Sequence, residues 1–172
     1  TPELRVLAAG FPDCIEALRR TILAALEERP MLRIKYLLAV KSKTIWSIGP
    51  EDAVLHAIRL MSDKQIGALP VMQGEQCVGI VSERDYARKV ILMGRSSAET
   101  PVSQIMSAPV ITVSPEDTVH RCMELMTEKR IRHLPVVEKN KLIGMISIGD
   151  LVKAVIEEQQ QTIVQLERYI AG

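Results

Sequence analysis

The feature that most constrains the fold of this chain is an internal repeat. When the sequence is shifted by 65 residues, residues 46–86 align with residues 111–151 without a gap, and 14 of the 41 pairs are identical. The run Leu69-Pro70-Val71 recurs at this offset, as do Ser82 and Asp85. A unit of about 45 residues is too small to bury a core alone. The two copies should therefore pack about a pseudo-twofold axis, with clefts between their equivalent edges.

Each copy predicts the element order strand, helix, strand, strand, helix. Short β-branched segments at 45–48 and 110–113 predict the first strands. The run Ser114-Pro115-Glu116-Asp117 predicts a helix start, with an N-cap, a proline in the first turn and an acid three residues on. Gly49 takes the cap position in the first copy. Two nearly continuous apolar strands follow, and the second helix is predicted to begin at Ser82 and at Ser147.

Helical patterns extend beyond the repeats at both ends. We divide the chain into an N-terminal helical extension at 1–31, repeat 1 at 32–100, repeat 2 at 101–157 and a C-terminal helix extension at 158–172. The last helix carries apolar residues at alternating four and three spacing, which predicts a seam too apolar to stand alone in water. It should pack on another chain, on the N-terminal helix, or on both.

Composition excludes several classes of function. The net charge is only +1 and aromatic residues make up 3%, so neither a phosphate-backbone field nor a stacking platform for nucleic acid is expected. No apolar stretch approaches the roughly 18 residues that span a bilayer, so no membrane partner is expected. Three cysteines without C-x-x-C spacing indicate neither a disulfide framework nor a zinc site, and predict a cytoplasmic location. No catalytic or metal-binding motif is present, so we predict no enzyme.

The duplicated motifs resemble the tandem cystathionine-β-synthase (CBS) domain pair, or Bateman module. The segments that carry the resemblance are 66–71 and 79–85, with their partners 131–136 and 144–150. It implies an α/β (α+β) fold of two β-α-β-β-α repeats that binds adenosine-containing ligands in its clefts. Inosine-monophosphate dehydrogenases also contain such pairs, but 172 residues leave no room for a barrel of about 250.

Ser82-x-x-Asp85 and Ser147-x-x-Asp150 stand where an apolar strand enters a helix. Free backbone N–H groups there favour phosphate, and a carboxylate one turn on can accept both hydroxyls of a ribose. The alternative is that each motif is only a capping box. Two instances at equivalent places favour the ligand interpretation.

The resemblance assigns residues of both copies to each cleft. The first cleft would join Ile45, Trp46, Ile66, Gly67 and Ala68 to Met145, Ser147 and Asp150. The second would join Val110, Ile111, Ile131, Arg132 and His133 to Ile80, Ser82, Arg84 and Asp85. The second cleft opposes Arg84, Arg132 and His133 to a phosphate chain, so we expect it to bind nucleotide more tightly. For residues 129–132 the alternative is a solvated helix end.

These observations predict a stand-alone, non-catalytic regulatory module that senses an adenosine-containing small molecule. AMP, ADP and ATP are the first candidates, NAD(H) is the next, and S-adenosylmethionine is less favoured. We expect a homodimer that acts on a downstream protein which the sequence does not identify. The competing interpretation is a structural scaffold with vestigial clefts, and the intact serine and aspartate pairs argue against it.

Overall fold

The computed structural model describes residues 32–41 and 44–171. The predicted helix within residues 1–31 and Cys14 lie outside the described residues. The helices are α1 (Ile34–Val40), α2 (Val54–Lys64), α3 (Glu83–Tyr86), α4 (Val119–Lys129) and α5 (Ile148–Ala171). A π-helical turn, Ala87–Ile91, continues α3, and a 3-10 turn spans Val102–Gln104. The strands are β1 (Ala68–Gln73), β2 (Gln76–Ser82), β3 (His133–Glu138) and β4 (Lys141–Ser147).

Each repeat contributes one antiparallel hairpin, and the two hairpins have the same register. Ala68 pairs with Ser82 in β1–β2, and His133 pairs with Ser147 in β3–β4, so equivalent residues face each other in both copies. The hairpins and the helices packed on them form the mixed α/β fold that the sequence predicts. Each hairpin places a serine at the carboxyl end of its second strand, directly before a helix.

The predicted first strands at 45–48 and 110–113 are extended segments rather than strands. In repeat 1 the Ile48 N–H donates to the Pro70 carbonyl at 3.2 Å, and the Met72 N–H donates to the Ile48 carbonyl at 2.8 Å. The next donor of this parallel ladder would be the nitrogen of Pro70, which carries no hydrogen. Pairing therefore stops after a single bridge, and Pro135 has the same effect in repeat 2. The prediction of strands at 45–48 and 110–113 was wrong because it did not consider the proline in the strand with which each segment pairs.

The predicted starts of the first helices were also wrong, since α2 and α4 begin at Val54 and Val119. The run 114–117 forms a separate turn in which the Asp117 carboxylate accepts the N–H of Ser114 at 2.6 Å. The Asp117 carbonyl then accepts the N–H of Ile34 at 3.0 Å instead of a donor in its own helix. This hydrogen bond to a residue distant in sequence ends the turn, so the helix begins only at Val119.

The first segments of the two repeats are exchanged between the two cores. Ile34, at the start of α1, is fully buried in the apolar cluster of repeat 2, around Leu134 and Ile146. Val102 and Ile105, at the start of repeat 2, are fully buried in the cluster of repeat 1. Each repeat therefore completes its core with the first segment of the other repeat.

Gly79 permits the close approach of the first segment of repeat 2. A Cβ at Gly79 would lie 2.6 Å from the Met106 sulfur and 3.2 Å from the Ser107 carbonyl oxygen. We expect Gly79→Ala to lower the free energy of unfolding by about 1–2 kcal/mol, because both neighbours must shift. Urea unfolding measures the loss. Gly149→Ala is the matched control, since its Cβ meets only the Ser147 hydroxyl at 3.7 Å. Equal stability of the two variants would contradict the prediction.

Helix α5 continues far beyond repeat 2, as the sequence predicts. Its last turns leave large apolar side chains exposed, among them Ile163 at 55% and Ile170 at 82%. Its packing partner stays a prediction. No helix in the described part of the chain is long and apolar enough to cross a membrane.

Candidate functional site

A cavity of about 410 Å³ lies between the two repeats. Repeat 1 contributes the end of β2 with α3 and the π-helical turn. Repeat 2 contributes the end of α4 and the start of β3. The lining residues are Ala68, Ile80, Ser82, Arg84, Asp85, Arg88, Lys89, Ser107, Lys129, Arg130, Ile131, Arg132 and His133. Both copies thus supply the walls, as expected for a cleft between equivalent edges.

Ser82 and Asp85 form a capping box at the start of α3. The Asp85 Oδ2 accepts hydrogen bonds from the Ser82 N–H at 3.1 Å and the Ser82 hydroxyl at 2.6 Å, and the Asp85 N–H donates to the Ser82 Oγ at 3.3 Å. Ser147 and Asp150 repeat all three contacts at 2.7, 2.8 and 3.3 Å. The capping-box interpretation therefore describes the local hydrogen bonds. It leaves the second carboxylate oxygen of Asp85, Oδ1, for other partners.

The backbone donors at these helix starts are less available than we expected. The Glu83 N–H donates to the Gly67 carbonyl at 3.2 Å, and the Ile148 N–H donates to the Arg132 carbonyl at 2.9 Å. The Asp85 and Asp150 N–H groups are held by serine hydroxyls. An anion in the cleft would consequently depend on side chains more than on the helix start.

A lysine neutralises each of the two carboxylates. Lys89 Nζ lies 2.9 Å from the Asp85 Oδ1, and Lys41 Nζ lies 2.6 Å from the Asp150 Oδ2. Burial by itself raises the pKa of Asp150. The hydrogen bonds from Lys41 and Ser147 outweigh it and hold that pKa below its ordinary value. These lysines do not occupy equivalent positions in the repeats, so a simple alignment of the copies does not find them.

The cavity is strongly cationic although the whole chain is nearly neutral. Among the described residues that line it, Asp85 is the one acidic residue, and the basic ones are Arg84, Arg88, Lys89, Lys129, Arg130 and Arg132. Arg84 crosses between the repeats, because its Nη1 donates to the Arg130 carbonyl at 3.3 Å. Arg130 ends α4 in the left-handed conformation (φ 54°). Such a cluster favours a polyanionic ligand.

His133 is half-buried and lines the cavity near both carboxylate sites. Its Cε1 lies 3.4 Å from where a Cβ of Gly67 would stand. Burial, together with the charges of Arg132 and Lys41, lowers the pKa of His133 to about 4 against an opposing effect of Asp150. His133 is therefore neutral at pH 7, where its ring can donate one hydrogen bond and accept another.

The structure brings together most of the residues predicted for the second cleft. These are Ile80, Ser82, Arg84, Asp85, Ile131, Arg132 and His133. Val110 and Ile111 are not in the lining, and Ile111 packs on the core of repeat 2 instead. Ala68, which we expected in the first cleft, lines this cavity.

Several residues that line the cavity were not predicted from the sequence. Arg88 and Lys89 follow Asp85 by three and four residues, so helical spacing could have placed them on the same face. For Lys129 and Arg130 the sequence left open a solvated helix end as the alternative, so neither was assigned to the cleft. Ser107 could be found only from the tertiary contact that joins its backbone to that of Ile80.

The residues predicted for the first cleft are only partly gathered. Lys41 Nζ binds both the Asp150 carboxylate and the Met145 carbonyl, the latter at 3.1 Å, next to Ser147. The Trp46 ring instead lies 4.1 Å from Lys64 Nζ. Ile66 packs on the core of repeat 1, and Ile45 is half-buried.

The cysteines of the described chain have packing roles. Cys122 is fully buried, and burial raises the pKa of its thiol to about 11. Burial also raises the pKa of Cys77. Both thiols are thus protonated at neutral pH and poor nucleophiles. His56 and His120 are exposed on α2 and α4. Within residues 32–41 and 44–171 no three acidic, histidine or cysteine side chains are grouped to hold a metal ion.

Comparison with known families identifies the repeats. The CBS domain model matches residues 39–91 and 102–157, well over half of the chain. The chain belongs to the CBS-domain family. It carries two CBS repeats, and tandem CBS domains are generally regulatory modules.

Similar proteins support this assignment. A CBS-domain protein of Burkholderia ambifaria, provisionally assigned to signal transduction, is 52% identical with a TM-score of 0.71, covering 74% of this chain and 96% of its own. The CBS domain-containing protein CBSX3, mitochondrial, of Arabidopsis thaliana is 47% identical over 71% of this chain. The match spans 62% of that relative. The CBS pair of protein MJ0100 (21% identity, TM-score 0.67, 75% of this chain and 99% of its own) shares the fold and is in complex with 5'-methylthioadenosine and S-adenosyl-L-methionine.

Proposed function

We propose that this CBS pair is a non-catalytic regulatory module that binds an adenine nucleotide in the cavity between its repeats. The observation that carries the proposal is that, in the part of the chain that the structure describes, the Asp85 carboxylate and six basic side chains line a cavity of about 410 Å³. A carboxylate can accept ribose hydroxyls, while arginines bind phosphate with paired N–H groups. The volume is within the range of small-molecule sites.

The charge of the walls favours AMP, ADP and ATP over other adenosine compounds. NAD(H) is the next candidate, since its pyrophosphate carries the same charged groups. S-adenosylmethionine, which MJ0100 binds, has a positive sulfonium that Arg84 and Arg132 would repel. Ile80 and Ile131, which face the cavity from opposite repeats, supply apolar surface for the adenine.

Binding would regulate because the cavity walls come from both repeats. A ligand that touches Asp85 and Arg132 together ties the two halves, so it favours the arrangement in which both contacts form. We propose that the working unit is a homodimer in which the exposed apolar residues of α5 are covered, and that it acts on a further protein. A cytoplasmic location stays a prediction from the cysteine pattern.

A ligand panel tests the proposal on the purified chain. Titration calorimetry with ATP, ADP, AMP, adenosine, NAD and S-adenosylmethionine should show binding of the adenine nucleotides. Asp85→Ala should weaken that binding by about 10- to 100-fold, because hydrogen bonds to a charged group are lost. Asp52→Ala removes a carboxylate that accepts the Gly49 N–H at 2.7 Å outside the cavity, so it controls for stability and should retain binding. Absence of binding by every adenosine compound would favour the scaffold interpretation.

A further inference from the structure

The two repeats differ in the helix that follows the second strand. In repeat 2 this helix, α5, is α-helical throughout, and Ala154 is buried against the core. In repeat 1 the π-helical turn Ala87–Ile91 interrupts the register. Lys89 stands at the position equivalent to Ala154 in the repeat alignment. Because a π turn adds a residue, Val90 is fully buried in its place and Lys89 is turned out to the cavity.

Lys89 connects three parts of the molecule. Its Nζ lies 2.9 Å from the Asp85 Oδ1 and donates to the Ile105 carbonyl at 2.6 Å, and its side chain lines the cavity. Ile105 ends the 3-10 turn Val102–Gln104, in the segment that joins repeat 1 to repeat 2. A single ammonium group thus ties the proposed ribose-binding carboxylate to the connection between the repeats.

These contacts can be exchanged at small cost. The Lys89 side chain is 41% exposed, and ion pairs of such exposed cations contribute little to stability. An ammonium group has three donors on a flexible stem, so it can leave one acceptor for a better one. A phosphate chain held by Arg84 and Arg132 would bring more negative charge into the cavity than the Asp85 carboxylate offers.

We propose that Lys89 is the residue by which this cavity distinguishes ligands by their number of phosphates. Its ammonium group moves from the Ile105 carbonyl to a phosphate of the bound nucleotide, and the connection between the repeats loosens as a result. The inference rests on the proposed function, because it needs a nucleotide in the same cavity. It adds that the number of phosphates is the feature of the ligand that is sensed. It also adds that binding acts on the rest of the molecule through the connection between the repeats.

The first test compares affinities for ATP, AMP and adenosine in wild type, Lys89→Met and Lys89→Arg. The ratio of the AMP to the ATP dissociation constant should fall about tenfold in Lys89→Met, because one charge-assisted contact is lost. Lys89→Arg should restore most of the ratio, and adenosine affinity should change little. Lys153→Met is the matched control, since Lys153 is an exposed lysine on the equivalent helix of repeat 2. An unchanged ratio in Lys89→Met would overturn the inference.

The second test follows the connection between the repeats by hydrogen exchange. In wild type, ATP should speed amide exchange at Ile105 and Met106 while adenosine leaves it unchanged. In Lys89→Met exchange there should already be fast and insensitive to ATP. Slower exchange of these amides in the presence of ATP in wild type would refute the proposed movement of the Lys89 ammonium group. Failure of wild type to bind any adenine nucleotide would instead refute the proposed function, so the two failures are distinguishable.

Discussion

Ile34→Ala is expected to lower the free energy of unfolding by about 3 kcal/mol. Ile34 is fully buried, and its neighbours are the core residues of repeat 2 around Leu134 and Ile146. Truncation leaves a cavity in that core although Ile34 belongs to the start of repeat 1 in sequence. Urea unfolding measures the loss. Hydrogen exchange should show that β3 and β4 lose more protection than β1 and β2.

Val40→Ala is the control for this prediction. Val40 lies on the same helix, α1, but is 89% exposed, so its truncation should change stability by less than about 0.5 kcal/mol. Loss of protection mainly in β1 and β2 of Ile34→Ala would show that the leading segments are not exchanged between the two cores. A loss of unfolding free energy in Ile34→Ala as small as that in Val40→Ala would lead to the same conclusion.

Acidification is expected to destabilise the protein through His133. The pKa of His133 is lowered to about 4, chiefly by burial, from an ordinary value of 6.5. Between these values the unfolded chain binds the proton and the folded chain does not, so stability falls as the pH falls. Above about pH 6.5 His133 is neutral in both the folded and the unfolded chain, so it does not change the free energy of unfolding. Its contribution to the loss reaches at most about 3 kcal/mol near pH 4, below which both states are protonated.

His133→Gln separates this effect from the other titrating groups. Urea unfolding of wild type and variant at pH 7.0, 5.5 and 4.5 should show the variant gaining relative to wild type as the pH falls. His56→Gln, at an exposed position on α2, serves as the control. Parallel stability curves for wild type and His133→Gln would mean that the histidine accepts its proton in the folded protein without cost.

Local patterns predicted the elements whose partners are close in sequence. The hairpins β1–β2 and β3–β4 join neighbouring segments, so apolar runs and turns were sufficient to place them. Helices α3 and α5 begin directly after Ser82 and Ser147, because each serine caps its helix through the aspartate three residues later. The segments at 45–48 and 110–113 were mispredicted because their pairing ends at a proline in a different strand.

The same distinction between local patterns and tertiary contacts applies to the candidate site. Repeat alignment and family resemblance both placed Ser82 and Asp85 in the second cleft, the resemblance placed Arg132 there, and all three line the cavity. Lys89 was missed because the repeat alignment matches it to the buried Ala154, although its spacing of four residues from Asp85 marks it.

The sequence by itself determined that two homologous units are present, that each carries a serine and aspartate cap after an apolar strand, and that the chain belongs among the CBS pairs. Only the tertiary structure decided which repeat each leading segment completes and which lysine neutralises each carboxylate. The physical reason is that a cap or hairpin turn is satisfied within a few residues. Burial of Ile34 and the ion pair of Lys41 with Asp150 join atoms about a hundred residues apart, and no local pattern encodes them.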